Sequence, residues 1–293
     1  MGRANCIPAA ADIAEFHERG HWITPKLLDD DRIARLRAAA EGMFEGKIDG
    51  DGWYFDSDKR RDISGDPTQI VKFTNGWWIN DEVKDLVLDP LLGEIAAVLL
   101  STDEVRLWHD QVIKKPGSSG KETPSGNVGW HQDYAYWTAA NTPNMCTAWI
   151  ALQDTDLENG GMRTLVGSHK TGLIEDADTF YDSDLDALEK RFKDRVDNAW
   201  IDEPCILKAG QASIHHALCF HGSGPNLTNR PRLSVVAHYM PKGTAYNAHT
   251  TRHRNVKYLG PRPKHGQLFN NEYFPVAWPS KPGNTLDSSP HKD

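Results

Sequence analysis

The side chains best suited to metal chemistry in this sequence are two histidines, an aspartate and an arginine. His131 and Asp133 are two residues apart in GWHQDYAYW, so on a β-strand both side chains point to the same face. His221 follows the apolar stretch QASIHHALCF, which we predict to be a strand ending at this histidine. Arg232 comes eleven residues later, at the start of RLSVVAHYM, which alternates as a strand does. Two histidines and one carboxylate on one face of a metal leave three positions open, which suits non-haem Fe(II) oxygenases. A nearby arginine can bind a carboxylate through paired, charge-assisted hydrogen bonds.

Each of these signals is weak by itself, and only their combination indicates a metal site. A His-x-Asp pair occurs often by chance, and a single histidine or arginine at the end of a strand is usually structural or exposed. The same three ligands also suit a zinc-dependent hydrolase or isomerase, although such an enzyme needs no dicarboxylate clamp. A non-catalytic jelly-roll ligand-binding protein is a third alternative, which the presence of Arg232 and of all three ligands disfavours. A different strand register makes His215 or His216 the ligand in place of His221.

Three motifs make the sequence resemble the phytanoyl-CoA dioxygenase family of Fe(II)/2-oxoglutarate-dependent oxygenases. They read WHQD, LENGGMRTLVGSHK and HGSGPNLTNRPR, in this order along the chain. The resemblance implies three iron ligands: His131, Asp133 and His221. It also implies that Arg232 binds the distal carboxylate of 2-oxoglutarate with the help of Ser223.

The same resemblance implies further contacts to 2-oxoglutarate. Gln111 in HDQVIKKPG, Trp149 in TAWIALQD and Lys72 in IVKFTNGWW match positions that contact this cosubstrate in the family. Two simpler interpretations stay open, because Trp149 can serve core packing and Lys72 can be a solvent-exposed lysine.

The reaction that the resemblance implies is oxidation of a C–H bond in a small molecule. Fe(II), 2-oxoglutarate and O2 are the expected cofactor and cosubstrates, with release of succinate and CO2. Hydroxylation of an aliphatic carbon is the default outcome, and desaturation, epimerisation or ring formation are the alternatives. Related halogenases have Gly or Ala in place of the aspartate, so Asp133 predicts that this chain does not halogenate.

Aromatic residues near the expected ligands and in the N-terminal half are candidates for the walls of a substrate pocket. Aromatic side chains mainly build cores, and the alternative is a pocket for an apolar or aromatic-contacting molecule. The residues concerned are Trp53, Tyr54, Trp77, Trp78, Tyr134, Tyr136 and Trp137. The acidic segment 172–203 and the stretch 245–260 are candidates for lids over the site.

Hydrophobic periodicity predicts the elements that must position these residues. Residues 11–100 are mostly helical in pattern, and DDDRIARLRAAAEGMFEG offers an aspartate cap with Ile33, Leu36 and Met43 at helical spacing. From about residue 104 short strands alternate with turns such as KPGSSGK, ENGG and GSGPN. This order predicts an α+β, mainly β protein with a sandwich or jelly-roll core. By resemblance the core is a double-stranded β-helix, a cupin-like jelly roll, with the helical N-terminal region packed on it.

We expect a single domain over the 293 residues. Its parts are a helical N-terminal part of about 1–103, a jelly-roll core of about 104–241, and a C-terminal extension of 242–293. The formal net charge of -8 disfavours a nucleic-acid partner, and no apolar run is long enough to span a membrane. The four cysteines are scattered and no secretory signal pattern is present, which predicts reduced thiols and a cytoplasmic protein. Nothing in the pattern indicates an oligomeric state.

Overall fold

The computed structural model describes residues 3–47, 70–118, 126–197, 199–250 and 253–279. Its α-helices are α1 (Ala10–Arg19), α2 (Asp30–Phe44), α3 (Asp81–Val87), α4 (Pro90–Leu99), α5 (Asp133–Trp137) and α6 (Leu185–Phe192). Its strands are β1 (His21–Ile23), β2 (Val71–Thr74), β3 (Val105–Lys115), β4 (Val128–His131), β5 (Cys146–Ala151), β6 (Met162–Leu165), β7 (Asp202–Pro204), β8 (Ala212–His216), β9 (His221–Ser223), β10 (Arg232–Pro241) and β11 (Val276–Trp278). Short 3-10 helices occur at Arg3–Cys6, Gly76–Trp78, Ser168–Thr171, Lys193–Arg195 and Arg254–Leu259.

Two antiparallel sheets make up the β-structure of these residues. The larger sheet has the strand order β1-β8-β5-β10-β3-β11, and β2 also pairs with β3. The smaller sheet has the order β4-β9-β6-β7. Strands of both sheets line one internal cavity, so the sheets face each other across it. The expected combination of helices with antiparallel sheets is therefore confirmed.

The described N-terminal helices begin and pack as their sequences predict. The Asp29 side chain accepts a hydrogen bond of 2.7 Å from the backbone N–H of Arg32, which would otherwise lack a partner in the first turn of α2. The three positions predicted at helical spacing in α2 are buried: Ile33, Leu36 and Met43. None of the helices within the described ranges combines the length and the apolar character needed to cross a bilayer.

Segments outside the predicted core also contribute strands to the larger sheet. β1 pairs with β8 through Trp22 and Ile214, and β2 pairs with β3 through Phe73 and Val112. β11, from the C-terminal extension, pairs with the start of β3. The described part of the N-terminal region thus contains strands as well as helices, because three or four extended residues leave no clear period in the sequence.

β10 separates the hydrophobic core from the internal cavity by simple alternation. Leu233, Val235 and Ala237 pack in a core that also includes residues of α2, α3 and α4. Arg232 and His238 lie on the opposite face and line the cavity. The alternation predicted for RLSVVAHYM therefore turns these two residues towards the cavity.

The apolar stretch QASIHHALCF does not form one strand, so this prediction was wrong. β8 ends at His216, and the chain turns through residues 217–220 before β9 begins at His221 in the other sheet. Ile214 packs in the core under the helices, whereas Phe220 packs against Phe192 of α6. Because each half of the stretch enters a different core, apolar residues lie on both sides of the turn and conceal it.

Candidate metal centre

His131, Asp133 and His221 come together where β4, α5 and β9 meet. His131 ends β4 and pairs with His221, which begins β9. Asp133 begins α5 and is not on a strand, but the preceding Gln132 is extended (φ -108°, ψ 130°). The alternation therefore continues through this residue, and the carboxylate reaches the same place as the imidazoles. One ligand atom from each of the three buried residues lies within 4.8 Å of the others.

Backbone carbonyls fix the orientation of both imidazoles. Nδ1 of His131 lies 2.8 Å from the Gly129 carbonyl oxygen, and Nδ1 of His221 lies 3.0 Å from that of Cys219. A carbonyl only accepts, so both Nδ1 atoms carry the proton and both Nε2 atoms keep a lone pair. These two Nε2 atoms lie 3.6 and 3.8 Å from Oδ1 of Asp133. A carbonyl behind each ring is the usual support of a metal-binding histidine.

The other carboxylate oxygen of Asp133 is held by two side chains, one of which is supported by a third. The Thr147 hydroxyl donates to Oδ2 at 2.6 Å and accepts from Nδ1 of His238 at 2.8 Å. Nε2 of His215 lies 3.3 Å from the same Oδ2. Burial alone would raise the pKa of Asp133, but His221 with the His131 and His215 contacts holds that pKa well below its usual range. Oδ1 is therefore left as an ionised oxygen facing the two histidines.

The donor set fits a divalent metal ion that accepts both nitrogen and oxygen ligands. Burial keeps the pKa of His221 well below its usual value, so its imidazole is neutral and able to bind a metal at pH 7. Metal–ligand bonds of about 2 Å place neighbouring ligands about 3 Å apart, so a small contraction of the three groups is enough. Two imidazoles and one carboxylate are the ligand set of non-haem Fe(II) sites.

Gln132 points away from the metal ligands and ties the acidic segment 172–203 to the site. Its amide nitrogen donates to the carbonyls of Gly172 and Leu218, both at 2.8 Å, and its oxygen accepts from the Ile174 N–H. Gln132 is the direct neighbour of both His131 and Asp133, so these hydrogen bonds fix the start of the acidic segment beside the site.

Arg232 is buried beside Trp149 in the same internal cavity. Its guanidinium carbon lies 4.9 Å from the Trp149 ring centre, and Nη1 donates to the Gly160 carbonyl at 2.8 Å. Nε of Arg232 is buried and has no hydrogen-bond partner among the described residues. Burial lowers the pKa of Arg232 to about 9, so the side chain remains charged at neutral pH. The structure thus presents a fixed, partly unsatisfied cation to the cavity.

Two adjoining cavities share two of the three candidate ligands. The inner cavity, of about 60 Å³, is lined by the ligands together with Gln111, Trp149, Ser223 and Arg232. The outer cavity, of about 330 Å³, also reaches His131 and Asp133 and is lined by Gln111 and Lys72. Seven of the eight residues predicted for the site therefore surround the inner cavity.

Lys72 is the predicted site residue that the inner cavity does not include. Its Nζ lies 3.8 Å from the ring centre of Phe180, which belongs to the acidic segment. Lys72 is neighbour to Ile113 across β2 and β3 and lines the outer cavity. Its ammonium is therefore beside Phe180 at the wall of the outer cavity.

The aromatic residues divide between the core and the outer cavity. Tyr136 and Trp137 line the outer cavity, together with Phe180 and Tyr181 from the acidic segment. Trp77 and Trp78 are buried in the hydrophobic core instead, while Trp53 and Tyr54 lie outside the described residues. His253 and Arg254, from the stretch 245–260, form a further part of the outer wall. Both segments predicted as lids thus border this cavity.

Thr147 and His238 contribute to this site without having been assigned from the sequence, and His215, named there only as an alternative metal ligand, contacts Asp133 instead. Thr147 lies two residues before Trp149 on β5, so alternation alone would have placed it on the cavity face. His238 shares the cavity face of β10 with Arg232. The sequence had no signal for their contacts to Asp133, because those contacts join strands distant along the chain.

Comparisons with known proteins agree with this geometry. The family model described as phytanoyl-CoA dioxygenase matches residues 16–234. Ectoine dioxygenase of Streptomyces avermitilis is 26% identical over 273 residues, which cover 86% of this chain and 86% of that enzyme.

Two solved structures share the fold. The non-heme alpha ketoglutarate dependent carbocyclase SnoK from nogalamycin biosynthesis has a TM-score of 0.71 at 22% identity and covers 94% of this chain and 98% of its own. The epimerase SnoN, in complex with Fe3+, alpha ketoglutarate and nogalamycin RO, has a TM-score of 0.70 at 22% identity, with 91% and 97% covered. At this identity the likeness concerns the fold alone.

Proposed function

Because the chain belongs to the phytanoyl-CoA dioxygenase family and is an Fe(II)/2-oxoglutarate-dependent dioxygenase, we propose that it hydroxylates an aliphatic carbon of a small molecule. Succinate and CO2 are the co-products. We further propose that the two facing sheets are those of a double-stranded β-helix within a single domain. The four cysteines are all buried free thiols, which supports the predicted cytoplasmic location.

The proposed iron ligands are His131, Asp133 and His221. The observation that carries this proposal is the orientation of their donor atoms: both Nε2 lone pairs and one carboxylate oxygen converge, while every other polar atom of the three groups is already engaged. A zinc hydrolase would use the same ligands but would gain nothing from a buried arginine in the adjoining cavity.

The proposed cosubstrate site is the inner cavity. Arg232 would bind the distal carboxylate of 2-oxoglutarate, with its guanidinium carbon over the Trp149 ring, and the hydroxyl of Ser223 would assist. Gln111 would contact the cosubstrate from β3, and Lys72 would approach from the outer cavity. The inner cavity has only about 60 Å³, so the bound cosubstrate would fill it and leave little room for water.

Iron with 2-oxoglutarate and O2 bound supplies the oxidant that removes hydrogen from a substrate C–H bond. The protein orients the reactants and excludes water from the site. Thr147 and His215 prevent Asp133 from rotating, because they hold its second oxygen. The Phe180 N–H donates to the Tyr136 hydroxyl at 2.8 Å and so joins the acidic segment to α5 over the outer cavity.

We propose that the substrate lies in the outer cavity and presents an apolar or aromatic face to Tyr136, Trp137 and Phe180. A volume of about 330 Å³ accommodates a small molecule. Hydroxylation is the default outcome, and the relative ectoine dioxygenase supports an oxygenase reaction of this kind. Desaturation, epimerisation and ring formation remain the alternatives, and the epimerase SnoN and the carbocyclase SnoK have the same fold.

Uncoupled turnover tests the proposed function without a known substrate. Protein supplied with Fe(II), ascorbate, O2 and 2-oxoglutarate should form succinate slowly, and a His131→Ala variant should not. Zinc in place of iron should abolish the reaction. If the unaltered protein formed no more succinate than the His131→Ala variant, the proposal would be refuted. Compounds that accelerate succinate formation then identify the substrate class, and mass spectrometry distinguishes hydroxylation, a gain of one oxygen, from desaturation, a loss of two hydrogens.

A further inference from the structure

Lys115 is the only buried lysine in the described part of the chain. It is the last residue of β3 and has no exposed surface. Burying an ammonium group is costly unless its charge and its hydrogen-bond donors are satisfied. A lysine at such a position therefore requires an explanation that packing alone does not supply.

The contacts of Lys115 join it to the proposed site for the distal carboxylate. Its Nζ donates to the Ser223 hydroxyl oxygen at 2.6 Å and also to the Gly224 carbonyl. Across the sheet, Lys115 is the direct neighbour of Arg232 on β10. The same face of β3 carries Gln111, four residues before Lys115, in the inner cavity.

Gly160 of the ENGG stretch closes over both cations. Its carbonyl accepts the hydrogen bond from Arg232, and its φ of +70° is in the left-handed region. A Cβ at this position would lie 2.8 Å from Cδ of Lys115. A glycine there permits the loop to cover the lysine stem and the guanidinium together.

The direction of the Lys115–Ser223 hydrogen bond determines what the serine can do. When Lys115 is charged it has donors only, so the Ser223 oxygen accepts from it and the hydroxyl hydrogen remains available. No acceptor among the described residues takes that hydrogen, and Ser223 lines the inner cavity. The serine is therefore prepared to donate to a ligand in that cavity.

The charge balance points to the same ligand. Neither Lys115 nor Arg232 forms an ion pair with an acidic residue in the described part of the chain. Asp133 is the one acid among the residues that line the inner cavity, and it is engaged with the histidines and Thr147. Two buried basic side chains without an acidic partner favour a ligand that brings a negative charge, because such a charge keeps both of them protonated.

We propose that Lys115 is a positioning residue for the distal carboxylate of 2-oxoglutarate: it fixes Ser223 as a hydrogen-bond donor and places a second positive charge beside Arg232. The inference rests on the proposed cosubstrate roles of Ser223 and Arg232. Burial, and then the charge of Arg232, lower the pKa of Lys115 well below its usual value. A bound carboxylate would raise this pKa again, because its negative charge stabilises the protonated lysine. The enzyme should consequently prefer 2-oxo acids that have a second carboxylate.

Binding measured without oxygen tests this role independently of turnover. Fe(II)-loaded protein is titrated with 2-oxoglutarate, and with 2-oxovalerate, which lacks the distal carboxylate, by following the visible charge-transfer absorption. Lys115→Met should weaken 2-oxoglutarate binding roughly 10- to 100-fold, the usual effect of losing a hydrogen bond from a charged group. It should change 2-oxovalerate binding less than about threefold, since the interaction lost involves only the distal carboxylate.

Lys114→Met is the matched control, because this lysine is adjacent on β3 but its Nζ lies near the Phe44 ring, away from the cavity. It should leave both affinities unchanged. Ser223→Ala and the double variant complete a double-mutant cycle. Lys115→Met should reduce 2-oxoglutarate affinity less in the Ser223→Ala background, where the hydroxyl is already absent, than in the unaltered protein. Full additivity would refute the role of Lys115 in orienting Ser223.

The outcomes separate this inference from the proposed function. Absence of the absorption in the unaltered protein would refute the proposed cosubstrate site itself. If the absorption appears but Lys115→Met binds 2-oxoglutarate as tightly as the unaltered protein, only the role of Lys115 is refuted. The same holds if Lys115→Met loses equal affinity for both 2-oxo acids. If Lys115→Met does not fold, Lys115→Gln retains a donor without the charge, and it should still weaken 2-oxoglutarate binding selectively.

Discussion

Replacing Thr147 with valine should weaken metal binding while leaving the shape of the site unchanged. Valine has the same branched form and suits the β5 strand equally well. The change removes the 2.6 Å hydrogen bond to Oδ2 of Asp133 and the acceptor for Nδ1 of His238. A hydrogen bond to a charged group contributes about 1.5–3 kcal/mol, and loss of such a support typically lowers metal affinity about 10- to 100-fold.

The assay is competition of the metal-free protein and a chelator for Fe(II) or Mn(II), at pH 7 and without oxygen. Thr244→Val is a suitable control, because Thr244 is a buried threonine whose hydroxyl donates to the Pro241 carbonyl outside the two cavities. The control should retain the original metal affinity. Equal metal affinities for Thr147→Val and the unaltered protein would show that the hydrogen bond from Thr147 is not needed to hold Asp133 in position for the metal.

Three further changes probe the surroundings of the site. Gly129→Ala would place a Cβ 2.1 Å from the Thr179 carbonyl oxygen and 2.4 Å from that of Asp182, so calorimetry should show destabilisation of about 1–3 kcal/mol or more. Burial lowers the pKa of His216 to about 3; the unfolded chain therefore binds the extra proton below about pH 6.5, and stability falls as the pH drops from there towards 3. His216→Gln should flatten that decline by up to about 1.4 kcal/mol per pH unit in urea unfolding. Arg232→Lys should raise the 2-oxoglutarate concentration needed for half-maximal succinate formation at least about tenfold, since lysine cannot donate two parallel hydrogen bonds.

Sequence patterns predicted those parts of the structure that depend only on residues close together in the chain. The aspartate cap and buried positions of α2 follow from helix chemistry, and the cavity face of β10 follows from alternation. The spacing of His131 and Asp133 was also sufficient, although for a different reason than expected. The pair spans the end of a strand and the start of a helix, and the extended Gln132 preserves the alternation.

Contacts between distant segments decided what the sequence could not predict. Thr147 reaches Asp133 only because β5 lies in the larger sheet, opposite the end of β4 in the smaller one. Nothing in the sequence distinguishes Lys115 from its neighbour Lys114, because its burial depends on the Gly160 loop and on β9. Trp77 and Trp78 resemble pocket residues by type, but the 3-10 helix Gly76–Trp78 places them in the core.

The location of the metal itself tests the central claim most directly. Crystals grown without oxygen in the presence of Fe(II) and 2-oxoglutarate, measured at the iron absorption edge, should show one anomalous peak per chain. The peak should lie within bonding distance of Nε2 of His131, Oδ1 of Asp133 and Nε2 of His221, with the distal carboxylate of 2-oxoglutarate at Arg232. A peak at any other position, or a cosubstrate whose distal carboxylate points away from Arg232, would contradict the account.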